Sequence, residues 1–211
     1  MKNLTFLIIA AFISATVVGQ EIYLEQGMNV TNFEFLESSG DSFKTFHPKT
    51  NNAFGVGYRH FIEDGFSFAG GLSFVEFGSL ASDLDHDNDL DYSLSYLQLN
   101  VGGEYEFYSI KDQFNVYAKG VFSVSRMLTG TRVGNYQVVS LIDDEDFGPV
   151  LLSGYLGLKL STSLTDRIDI YSHALVGIND PSGVSRTSEV ERLRIKGANV
   201  AFGIVFDLIT E

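Results

Sequence analysis

Tyr96-Leu-Gln-Leu-Asn-Val-Gly-Gly-Glu-Tyr-Glu-Phe-Tyr108 is the stretch whose reading decides the fold. Leu97, Leu99, Val101, Tyr105 and Phe107 take its odd positions, with Gly103 among them; Gln98, Asn100, Gly102, Glu104 and Glu106 take the even ones. Successive side chains of a strand point to opposite faces, so this alternation predicts one oily face and one polar face. Working outward, the pattern recurs near residues 21–35, 53–61, 66–74, 114–125, 150–160, 168–178 and 199–208. With 96–108 that makes eight segments, an even number. The connections between them alternate between long (37–52, 78–91, 127–146, 179–191) and short (63–65, 109–113, 162–166). Even strand number with alternating turn and loop lengths predicts an all-β fold, an eight-stranded antiparallel up-and-down transmembrane β-barrel. Tyr136-Gln-Val-Val-Ser-Leu141 leaves a ten-stranded version open if it pairs within its loop.

A soluble eight-stranded barrel would turn its oily face inward. Here Gly55, Gly57, Gly102 and Gly157 lie on the polar face, where a narrow interior needs small side chains. Every segment also carries bulky residues on the apolar face, more than eight strands enclose, so that face is expected to meet lipid. Arg194 and Lys196 share the apolar parity of the last segment and are expected beyond the membrane or after a bulge. Glu63-Asp64-Gly65 predicts a three-residue hairpin turn with a left-handed Gly65.

Residues 1–19 are expected to be a secretory signal peptide, with Lys2 as the charged start and an apolar run from Leu4 that is too short to span a membrane. Residues 20–211 then form one barrel domain. The chain has no Cys, so neither a disulfide framework nor a lipid-bearing thiol is available. Net charge is −13, becoming −14 once Lys2 leaves with the leader. Such acidity argues against nucleic acid as a partner, which requires a basic face.

The polar face collects Arg59, Glu104, Tyr117, Lys119, Tyr155, Lys159, Asp169 and His173. Placing Phe107 opposite Phe114 sets Lys119 diagonal to Glu104. Placing Leu160 opposite Ile168 sets Lys159 against Asp169 and Tyr155 against His173. Isolated buried charges cost several kcal/mol, so these groups are expected to pair in a plugged, polar interior. His173 near Tyr155 and Ser153 also admits an acyl-transfer reading, a lipid-modifying enzyme; the plainer reading is a hydrogen-bonded interior histidine. No Gly-x-Ser-x-Gly, His-Glu-x-x-His or phosphate-binding loop accompanies it.

Asp83, Asp85, Asp87, Asp89 and Asp91 recur at every second position of an external loop. If extended, they would share a face and could ligate calcium, which takes six to eight oxygens; no other cofactor is expected. The run lacks the Gly and terminal Glu of an EF-hand loop, and a solvated acidic loop is the plainer reading. A specific site would raise the thermal midpoint with Ca²⁺ more than with Mg²⁺.

Residues 96–107, and Phe147-Gly-Pro-Val-Leu-Leu-Ser-Gly-Tyr-Leu-Gly-Leu-Lys159, resemble strands of the PorT-like outer-membrane β-barrel family. That resemblance implies the barrel fold and residence in a bacterial outer membrane, with lipid as one partner and a surface or secretion-complex protein as another. The function expected from the sequence is non-enzymatic: a structural or surface-interaction barrel with long acidic external loops. A lipid-modifying enzyme using His173 and a barrel subunit of a secretion apparatus are the alternatives.

Overall fold

The computed structural model describes residues 20–36, 42–43, 46–63, 65–83, 88–110, 114–134, 137–142, 147–182 and 192–208. The expected leader therefore lies outside the described residues. The strands are β1 (Gln20–Leu36), β2 (Ser42–Phe43), β3 (Phe46–Glu63), β4 (Phe66–Asp83), β5 (Asn88–Ile110), β6 (Phe114–Gly134), β7 (Gln137–Ser140), β8 (Val150–Thr165), β9 (Ile168–Ser182) and β10 (Arg192–Asp207). Each long strand pairs antiparallel with the next, and β10 returns to pair with β1, from Glu21 opposite Asp207 to Leu36 opposite Arg192. The result is a closed eight-stranded antiparallel barrel, as expected. The short β2 and β7 stand outside the wall. β7 folds back on Thr131–Gly134 of its own neighbour β6, which settles the ten-strand alternative.

Hydrogen-bonded partners followed once around the barrel run from Val30 through Ala198, Val176, Leu156, Gly120, Gly103, Phe68 and His60 to Gln20. The path closes ten residues before its start, a stagger that goes with a strand tilt of about 40°.

The outward face is apolar across the middle of every wall strand. Leu156 and Phe202 are 70% and 67% exposed, and Leu24, Val56, Leu72 and Leu99 stand beside them in the same band. An unbroken apolar ring of this kind excludes water as its solvent, because soluble proteins hold such patches to a few hundred Å². Closure leaves no unpaired strand edge in that band, which is what hydrocarbon demands.

β5 and β6 have 23 and 21 residues, about twice the ~9–11 that cross a membrane. The surplus lies on the side of the long connections, and there the two faces exchange character. On β5 the outward positions above Leu97 become Ser95, Ser93 and Asp91, while the inward ones become Tyr96, Leu94 and Tyr92. The same exchange places Phe33 on β1, Phe77 on β4, Leu151 on β8 and Ile195 on β10 inside the barrel. A wall surrounded by water on its outside needs an apolar inside, so the exchange marks the level at which the barrel leaves the lipid. Lys196 and Arg194 stand above that level without any bulge, paired outward with Glu34 at 2.7 Å and Asp180 at 3.2 Å.

Much of what reads as long loop in the sequence is therefore strand. β4 and β5 stay paired up to Asp83 opposite Asn88, and β3 begins at Phe46. The β3–β4 ladder opens between Pro48 and Ala53, where a proline lacks the amide a ladder needs. Side chains of β1 span the gap: Thr31 Oγ1 donates to the Gly78 carbonyl at 2.8 Å and accepts its amide at 2.9 Å, and Asn29 Nδ2 donates to the Glu76 carbonyl at 3.3 Å.

Gly65 has φ +78°, the left-handed conformation expected of its turn. Two register expectations are corrected. Phe107 falls at a bulge instead of opposite Phe114, which pairs with Ile110, so Glu104 faces Lys119 directly. β8 continues through Ser161, Thr162 and Ser163 to a tight turn at Asp166 and Arg167, so Leu160 pairs with Ser172 and Lys159 with His173. Threonine suits strands as well as turns, and Leu164 keeps the outward alternation alive.

Candidate functional site

The interior is stacked in three layers, and each follows from inward positions of the wall. The lowest layer holds the ions. Glu104 Oε2 accepts from Lys159 Nζ at 2.6 Å and from Arg59 Nη1 at 3.2 Å, and Oε1 lies 3.3 Å from Lys119 Nζ. Arg59 also pairs with Glu21, and its guanidinium stacks over Phe61 at 4.8 Å. Lys159 Nζ sits 4.7 Å above the Tyr171 ring and 5.2 Å above that of Tyr117. Arg59, Glu104 and Lys159 are each about 2% exposed, so these ion pairs and ring contacts are what offset their desolvation. Counting Glu21, and Glu25 beside Tyr171, three carboxylates balance the three cations in number.

The middle layer is built from amides and hydroxyls. Lys119 Nζ lies 3.3 Å from His173 Nδ1, and His173 Nε2 lies 2.6 Å from Asn199 Oδ1. Asn199 Nδ2 donates to Asn29 Oδ1 at 2.7 Å, which ties the β9–β10 side to β1. Tyr171 donates to Glu25 at 2.7 Å and Tyr155 to Asn179 at 2.6 Å. Tyr171 lies so close over Gly203 that an added Cβ would stand 2.3 Å from its ring, and Tyr155 covers Gly177 at the same distance. A glycine beneath each ring is what lets a tyrosine lie flat in so narrow a lumen. Gly203→Val is expected to expel Tyr171 and lower stability by about 1–3 kcal/mol, as overpacked cores do, read from urea unfolding curves.

The upper layer is apolar. Phe33, Phe46, Tyr92 and Phe147 cluster with ring centroids 5.8 to 6.4 Å apart, and Phe77 meets Tyr96 at 5.6 Å. Leu141 and Phe147 come from the connection between β7 and β8, which tucks them into the mouth of the lumen at 0% and 4% exposure.

Seven of the eight expected interior residues take their place in this stack. Asp169 does not meet Lys159: the register carries it to the turn end, where it lines the same opening as Glu21, Asp166 and Asp207. Tyr155 does not face His173, whose ring nitrogens are taken by Lys119 and Asn199. Glu21, Glu25, Asn29 and Asn199 belong to the network and were missed. For Glu21 and Glu25 the signal was available in Glu21-Ile-Tyr-Leu-Glu25, which alternates as cleanly as 96–108. The polar interior expected from the sequence occupies the lower and middle layers, and the apolar upper layer is an addition to it.

Of the aspartates expected to hold calcium, Asp85 and Asp87 lie outside the described residues, and Asp83 and Asp89 are described only as strand backbone. Asp91 is engaged by Lys49, whose ammonium also donates to Ser93 at 2.7 Å.

Closed wall and lipid-facing belt define a transmembrane β-barrel of the bacterial outer-membrane class. No protein-family model matches the chain, and no curated protein matches it in sequence. Among solved structures it is similar to the outer membrane protein OprG of Pseudomonas aeruginosa, with a TM-score of 0.53 and 10% identity over 89% of this chain and 96% of that one. Neisserial surface protein A covers 89% of this chain and 97% of its own at 11% identity and a TM-score of 0.48. Ail, the attachment invasion locus protein of Yersinia pestis, solved with a heparin analogue, covers 90% and 100% at 13% identity and 0.43. The likeness to OprG supports the fold and nothing finer.

Proposed function

We propose that this chain is a non-enzymatic outer-membrane barrel whose lumen does not conduct, and whose raised outer end meets a protein partner at the cell surface. The observation that supports it is the exchange of face polarity above the membrane. It gives the barrel a water-exposed upper wall built as sheet around an apolar filling, a rigid platform instead of a pore mouth. Outward Leu80 and Val133 on that wall, and Val138 on the β7 strand beside it, are 41%, 42% and 69% exposed, the apolar content a docking face uses. In planar bilayers the purified barrel is expected to leave the conductance at background in concentrated KCl; stable single-channel steps would sink the non-conducting reading.

Orientation has its own test, helped by the absence of native cysteine. Val138→Cys should react with a membrane-impermeant maleimide on intact cells, while Leu164→Cys, near the tight β8–β9 turn, should react only after lysis. The reverse pattern would place the platform on the inner side of the membrane and remove the surface-partner reading. The resemblance of residues 96–107 and 147–159 to PorT-like barrels favours a second reading, a barrel subunit of a secretion apparatus. Co-purification of a stoichiometric complex in mild detergent distinguishes the two.

A further inference from the structure

We propose that the middle of the lumen is a water site: a trapped cluster of about four molecules held between the ion layer and the apolar cap. A cavity of about 60 Å³ lies there, lined among others by Ser73, Gln98, Asn100, Lys119 and Ser123. A water requires roughly 10–15 Å³ of such space and two to four polar partners, so the volume takes about four.

Two buried atoms point to the chemistry of the occupant. Asn100 Oδ1 and Ser123 Oγ both belong to residues that line the cavity, and neither has a hydrogen-bond partner among the described residues. Asn100 spends its amide nitrogen on Ser73 Oγ at 2.7 Å, so its carbonyl oxygen faces the space as a pure acceptor. Leaving such a buried acceptor unpaired carries its full desolvation penalty. Whatever fills the cavity must therefore donate a hydrogen bond there, which excludes a bare anion despite the neighbouring Lys119. That same ammonium disfavours an organic cation. A neutral donor and acceptor of the smallest size remains, and water is that molecule.

The site rests on the non-conducting reading for its being trapped, and one measurement separates the two. Isotope-labelled barrel in lipid bilayers is examined by proton-detected NMR for magnetisation transfer from water to the Asn100 side-chain amide and to Ser123. Transfer at both, with exchange slower than at the surface residues of the upper wall, is the expected result, with none at Leu94 and Phe77 in the cap. Transfer with exchange as fast as at the surface overturns the trapped cluster and the closed lumen together. Absence of transfer at both residues overturns the water site alone and leaves the closed lumen standing. A variant provides an independent arm. Ser123→Val should lower the temperature of the unfolding gel shift by several degrees, because it displaces water that Asn100 needs. A rise in that temperature would mean the methyl groups fill a dry void, and would overturn the proposal.

Discussion

Replacing Glu104 with glutamine is expected to cost about 3–5 kcal/mol, the largest single loss available in this barrel. One carboxylate receives Arg59, Lys119 and Lys159 within 3.3 Å, and Glu104, Arg59 and Lys159 are buried from bulk solvent. Glutamine keeps the shape and removes the charge, so three cations are left with Glu21 and Glu25 only. The readout is the urea midpoint of the barrel in lipid vesicles, followed by the gel shift between folded and heat-denatured forms. A double variant that also carries Lys159→Met restores the balance of charge and should recover more than half of the loss. A Glu104→Gln barrel within about 1 kcal/mol of the parent would show that solvent screens the cluster, contrary to its burial.

Leu99→Arg is the second large effect. Leu99 is 57% exposed in the middle of the apolar belt, and an arginine there is expected to cost about 2–4 kcal/mol. Leu80→Arg places the same group on the same outward face above the exchange of polarity, where the cost should fall to about 0–1 kcal/mol. Folding yield into vesicles measures both. Equal losses at the two positions would mean that the membrane boundary is misplaced.

The boundary was in the sequence and could have been read. Period-two alternation from Leu97 to Phe107 makes the lipid-facing band legible because lipid and lumen impose opposite chemistry on neighbouring residues. Above it, Tyr92, Leu94 and Tyr96 continue the alternation in the opposite phase, with Ser93 and Ser95 between them. Read as period alone the segment looks like a fading strand; read as phase it is a strand entering a second solvent. The four-residue shift between β8 and β9 was less legible. Ser161-Thr-Ser163 suits a turn and a strand equally, and only the tight turn at Asp166 and Arg167 decides between them. Asp169 was misplaced for that reason. The convergence on Glu104 was half legible, since Lys119 sits on the neighbouring strand β6, while Arg59 and Lys159 each reach it over an intervening strand.

The contacts where the ring closes carry a kinetic consequence. β1 and β10 are the first and last strands of the wall, and Asn29–Asn199 and Glu25–Tyr171 join residues 170 and 146 positions apart. Neither contact exists until the last seam zips, and both then sit inside it. Opening the barrel at β1–β10 must therefore dismantle the lumen in the same step. Disassembly has no cheap first move, and the lifetime of the folded state is set by one concerted barrier.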